Sequence, residues 1–133
     1  MAQHGGTILA VQDTTSLNYN THEKTQGIGY ISDKTLGVNI HSCLATTTDG
    51  LVLGLLDQRS YNRAVAKDDS RSHESKKTRA LEEKESFRWV QSLQASNTSL
   101  PKTVKVLNVC DREGDMYELL DVAESGGVYF LSE

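Results

Sequence analysis

The sequence predicts an α/β domain, and three observations carry that expectation. Two short, β-branched apolar runs each end in an aspartate: TILAVQD at residues 7–13 and VKVLNVCD at residues 104–111. A period-2 stretch, GVNIHSCLATT, leads through Asp49-Gly50 into LVLGLLD, the pattern of a hairpin. Two later segments, 81–95 and 116–123, carry apolar residues at helical spacing. Together they predict the order β-β-β-α-β-α-β.

Each element has a local reason. Thr7 to Val11 is too short for a helix and rich in β-branched residues, so it reads as a buried strand ending at Gln12-Asp13. Thr14, Thr15, Ser16 and Asn18 read as loop, and residues 19–35 read as an excursion containing Gly27, Gly29 and Asp33. Gly37 to Thr47 alternates and reads as a strand. Asp49-Gly50 supplies the positive φ that a tight turn needs, and Leu51 to Asp57 returns antiparallel. Residues 61–80 carry mixed charges, including Arg63, Lys67, Asp68 and Arg79, and read as a solvated connection.

Leu81 to Ala95 reads as a helix, with Phe87, Trp89, Val90 and Leu93 turned inward. Glu82, Glu83 and Glu85 favour the positive end of its dipole. Val104 to Cys110 reads as a strand, followed by a polar turn at residues 111–115. Met116, Leu119, Leu120 and Ala123 then repeat at i, i+3, i+4, i+7, and Gly126-Gly127 close that helix. Val128 to Leu131 begins a last strand.

Composition bounds the class. The 133 residues suit one domain with a modest core, read here as spanning residues 1–133. Hydrophobic residues at 37% and charged residues at 24% fit a soluble globular chain, with no run long enough to cross a bilayer. No secretory signal pattern stands at the N-terminus, and Cys43 and Cys110 lie in apolar segments without metal-binding spacing, so the expected setting is cytoplasmic with two free thiols. The net charge of −4 argues against strong nucleic-acid binding by this chain alone.

The chemistry-bearing pattern is the acid at a strand end, present twice. In open α/β sheets, ligands sit beyond the carboxyl ends of strands. If the two strands are parallel neighbours, Asp13 and Asp111 converge. Their mutual repulsion is relieved by a divalent cation, and an all-oxygen donor set suits Mg²⁺ or Mn²⁺ rather than zinc. Taken singly, an aspartate after a strand is more often a turn former or helix N-cap than a ligand.

A resemblance narrows this. AVQDTTSLNY at residues 10–19 and NVCDREGDMYELL at residues 108–120 resemble the first- and second-aspartate motifs of bacterial cut-and-paste DDE transposases, in the insertion-sequence group that includes the hairpin-forming enzymes. GVNIHSCL at 37–44, GLLDQ at 54–58 and EEKESFRWV at 82–90 occur between them in the expected order. The resemblance implies an RNase H-like mixed five-stranded sheet of order 3-2-1-4-5 with flanking helices. It implies Asp13 and Asp111 as catalytic, metal-holding acids, Mg²⁺ or Mn²⁺ as cofactor, transposon-end DNA as partner and a homodimer in the full-length protein. It further implies hydrolysis and strand transfer at the transposon ends.

The family's third acid, a Glu within a Tyr-Arg-Glu-Lys type motif, has no counterpart among the 133 residues. The expectation is therefore a catalytic-core fragment with little strand-cleaving activity alone. Thr14, Thr15, Arg112 and Lys84 are candidate DNA contacts. Loop capping accounts equally for the two threonines, and a solvated turn for Arg112. Local helix pairing accounts for Lys84. Asp115 reads as a helix N-cap, His41 as a satisfied structural histidine and Trp89 as core. Two other functions compete: another RNase H-like nuclease, and a non-catalytic remnant mediating DNA or protein association. A phospho-acceptor receiver domain does not fit the early hairpin.

Overall fold

The computed structural model describes residues 6–22, 24–32, 34–62, 87–111, 119–122 and 129–132. The described elements are β1 (Thr7–Asn18), β2 (Gly29–Tyr30), β3 (Leu36–Thr47), β4 (Val52–Tyr61), α1 (Phe87–Ser99), β5 (Lys105–Cys110) and β6 (Tyr129–Ser132), with residues 119–122 also helical. None of the helices among the described residues is long and apolar enough to cross a membrane.

β1 is the largest departure from expectation. It does not stop at Asp13 but runs to Asn18, paired along its length with β3 from Ile8↔Thr47 to Asn18↔Gly37. The supposed loop of residues 14–18 is therefore strand. Thr14, half-buried on the covered face, is polar and the residues after it are exposed, so hydrophobic alternation does not reveal this part of the strand, whereas the antiparallel partner does.

Among the described residues the sheet is mixed and has six strands, not the expected five. Its path is β2-β3-β1-β5-β6, and β4 also pairs β3, so the expected order 3-2-1-4-5 gives way to one with an added strand. That strand, β2, is two residues long and pairs Gly29↔Gly37 and Tyr30↔Leu36. Two residues carry no periodicity, so a loop was the natural reading. β3 and β4 form the expected antiparallel hairpin, with Gly50 at φ 92° in its turn and Gly50 N donating to Thr47 O at 3.1 Å. β4 extends to Tyr61, beyond Asp57, and shifts register between Cys43/Leu44 and Ala45/Thr46 of its partner. β5 pairs β1 in parallel, and β6 pairs β5 in parallel.

α1 lies across one face of this sheet. It runs to Ser99, past the expected end at Ala95, while its expected acidic start lies outside the described residues, as does the connection at 63–86. Trp89, Val90 and Leu93 pack with Cys110 and Leu119 in one cluster, and Ile8, Ala45, Leu100 and Val104 form a second. Full burial of each large apolar side chain stabilises by about 1.5–3 kcal/mol. The covered face takes Ile8, Ala10 and Gln12 from β1 and Asn39, His41, Cys43 and Ala45 from β3, all buried. On the other face Leu44, Val52 and Leu55 stay exposed, at 38%, 60% and 51%.

Candidate functional site

Asp13 sits mid-strand in β1, opposite Ser42 of β3, and Asp111 follows the last residue of β5. The β1–β5 ladder runs in parallel from Thr7↔Lys105 to Val11↔Val109. Two residues beyond that last pair, on each chain, stand Asp13 and Asp111. Neighbouring strands lie about 4.8 Å apart, so the backbone delivers both acids to one region of the sheet. Both are exposed. Asp13 occupies the face opposite Gln12 and Thr14, because successive strand residues alternate sides.

Among the described residues, the ladder of β1 with β5 ends at Val11, while its ladder with β3 continues to Asn18. The strand thus passes from two neighbours to one just before Asp13. Asp13 lies on the face opposite the one packed against α1, and it is exposed there.

The other anticipated residues distribute unevenly. Thr15 is exposed and shares Asp13's face by parity. Thr14 is half-buried on the covered face, and its Oγ1 lies 2.8 Å from His41 Nδ1. Neither threonine caps a loop, since both are in β1. Arg112, Lys84 and Asp115 lie outside the described residues.

Behind Asp13, on the covered face, is a polar ladder that hydrophobic periodicity overlooks. His41 is fully buried, with Nε2 3.1 Å from Gln12 Oε1 as well as Nδ1 on Thr14. One step on, Ser16 Oγ donates to Asn39 Oδ1 at 2.6 Å. Burial, and then the positive charge of Arg88, push His41 down to about 4, so the ring is neutral at pH 7. A neutral ring has one donor and one acceptor. Gln12 Oε1 can only accept, so Nε2 carries the proton and Nδ1 accepts from the Thr14 hydroxyl. The edge of the ring meets Trp89 of α1 at a centroid distance of 4.4 Å and 68°.

The signal for this cluster was present in sequence: Gln12, Thr14 and Ser16 share one parity in β1, as Asn39 and His41 do in β3.

A second polar group sits between β4 and α1. Asp57 Oδ2 accepts from Arg59 Nε at 2.8 Å and from Ser92 Oγ at 2.6 Å. Arg88 stacks over Tyr61, its guanidinium carbon 3.6 Å from the ring centroid. Cys43, beside Asp57 in register, is pushed up to about 12 by burial and then by that carboxylate. Cys43 and Cys110 are both free and buried.

Two exposed carboxylates with hard oxygen donors fit a divalent cation that keeps several of its waters, as Mg²⁺ does. They do not by themselves make a closed site: among the described residues no group of three or more His, Cys, Asp or Glu is placed to hold a metal. No protein-family model matches the sequence.

Proposed function

We propose that this chain belongs to the catalytic core of a DDE-type DNA transposase, acting on phosphodiesters at transposon ends with Mg²⁺ or Mn²⁺. The observation that carries the reading is the parallel β1–β5 pair, whose register leads to Asp13 and Asp111 at equivalent positions. The ordered motif blocks that hold these two acids support it from the sequence side. The pairings β4–β3, β3–β1, β1–β5 and β5–β6, the last two parallel, are compatible with an RNase H-like sheet carrying β2 as an addition.

On this reading Asp13 and Asp111 supply oxygen ligands from adjacent strands. A bound cation would lower the pKa of a water and stabilise the leaving oxygen. The protein's part is to hold two like charges together and open to solvent, where a phosphodiester can approach. The partner is transposon-end DNA, met by a homodimer in the bacterial cytoplasm, and the reaction proceeds by hydrolysis and then strand transfer.

The test is Mn²⁺ added substoichiometrically to the full 133-residue chain, followed by NMR. Paramagnetic broadening centred on residues 12–14 and 110–111, lost in D13N and in D111N, is the expected result. A folded protein with no such broadening would favour a non-catalytic association domain instead. Cleavage of RNA–DNA hybrids in preference to DNA would favour another nuclease of the same fold.

A further inference from the structure

We infer that His41 is a positioning residue for Asp13, acting through a clamp on the two residues that flank it. This rests on the reading of Asp13 as a cation ligand. Gln12 and Thr14 lie immediately before and after Asp13 in β1, and both bond the same imidazole, at 3.1 and 2.8 Å. The ring comes from β3 and is itself fully buried against Trp89.

The location gives the clamp its purpose. Among the described residues the parallel register with β5 runs to Val11↔Val109, whereas the register with β3 continues through Asp13↔Ser42 to Asn18↔Gly37, so β3 is the partner that spans Asp13. A strand held on one side twists and bends more freely than one held on both. Fixing the side chains at 12 and 14 on the covered face fixes the peptide planes on either side of residue 13. Alternation then sends the Asp13 Cβ out of the opposite face in one direction. A ligand held this way needs less ordering when a cation binds.

Neutral chemistry suits the task. An uncharged ring with one acceptor and one donor satisfies a hydroxyl and an amide oxygen together, and it adds no positive charge beneath a cation site. The arrangement parallels the outer-sphere partners of metal ligands, whose loss typically costs about 10–100-fold in affinity.

The test uses T14V and T14S. T14V keeps the β-branched shape and removes only the hydroxyl that donates to His41, while T14S restores it. Mn²⁺ affinity is read by paramagnetic broadening, and backbone amide exchange is read without metal. The expected result is an affinity about tenfold weaker in T14V, with faster exchange confined to residues 13–15 and near-wild-type behaviour in T14S. Unchanged affinity and exchange in T14V would overturn the inference. Exchange accelerated evenly through the sheet would also overturn it, since that marks general support of the fold. If the wild type binds no Mn²⁺, the proposed function fails, and metal-free exchange still decides whether the clamp holds residue 13.

Discussion

Val11 of β1 and Val109 of β5 are the last partners of a parallel ladder, and two residues beyond each of them stands an aspartate, Asp13 and Asp111. Both acids are exposed, so each contributes little to the stability of the metal-free fold, whereas a cation held between them, as proposed, would add to it.

The first prediction follows from this balance. D13N and D111N should each unfold within about 0.5 kcal/mol of the wild type in metal-free buffer, because both positions are exposed. At free Mn²⁺ a hundredfold above the dissociation constant, the wild type should gain about 2.7 kcal/mol and the variants far less. Thermal unfolding with and without Mn²⁺ measures the difference. An equal rise in Tm for all three proteins would remove Asp13 and Asp111 from the cation site.

Gly37 gives a second prediction, this time about the fold. It pairs with Asn18 of β1 and with Gly29 of β2, where three strands crowd together. A Cβ at this position would collide with the backbone oxygen of Leu17 and press on Ile31. The obstacle is backbone and cannot rotate away. G37A should therefore destabilise by about 1–3 kcal/mol or more, the range for overpacking. Urea unfolding checks this, and a change below about 0.5 kcal/mol would show that β1 and β3 can part at that end without loss.

Much of the fold could be read from residues whose burial and polarity agree. The alternation of β3, the Asp49-Gly50 turn and the apolar run of β5 all met that condition. Where burial and polarity disagree, reading fails. Gln12 and Thr14 lie on the covered face but are polar, and Ser16 is exposed, so the second half of β1 reads as loop and the partners that satisfy His41 stay unidentified. β2 was invisible because two residues have no period. That Asp13 and Asp111 follow the same ladder pair is a matter of register between partners 98 residues apart, which no local pattern encodes.

The thiols give a third prediction. Cys43 and Cys110 are both buried, and Cys43 is further disfavoured as thiolate by burial and by Asp57. Since the thiolate is the nucleophile, native protein at pH 8 should react slowly with an aromatic disulfide reagent at both positions. Denaturant should release both at once. Fast labelling of Cys43 in the native state would mean that the β3–β4 region opens readily.

The last prediction concerns pH and His41. Its folded pKa of about 4 lies below the ordinary histidine value of 6.5. Between these values the unfolded chain binds a proton that the folded chain refuses, so stability rises with pH across this window. The contribution is present in full above about 6.5, declines as pH falls toward 4, and changes no further below that. Its size is of order 1–3 kcal/mol, since one pKa unit corresponds to about 1.4 kcal/mol. Protonation would also turn Nδ1 into a donor facing the Thr14 hydroxyl and place a charge beside Arg88, the second cause of the shift. Asp57 and Asp13 oppose the shift more weakly. H41Q removes the titrating group, so the variant should be less stable at pH 7 yet lose less stability between pH 6.5 and 4.5 than the wild type does. Urea midpoints at several pH values make the comparison, and parallel pH slopes for the two proteins would show that the ring takes up its proton as readily in the fold as out of it.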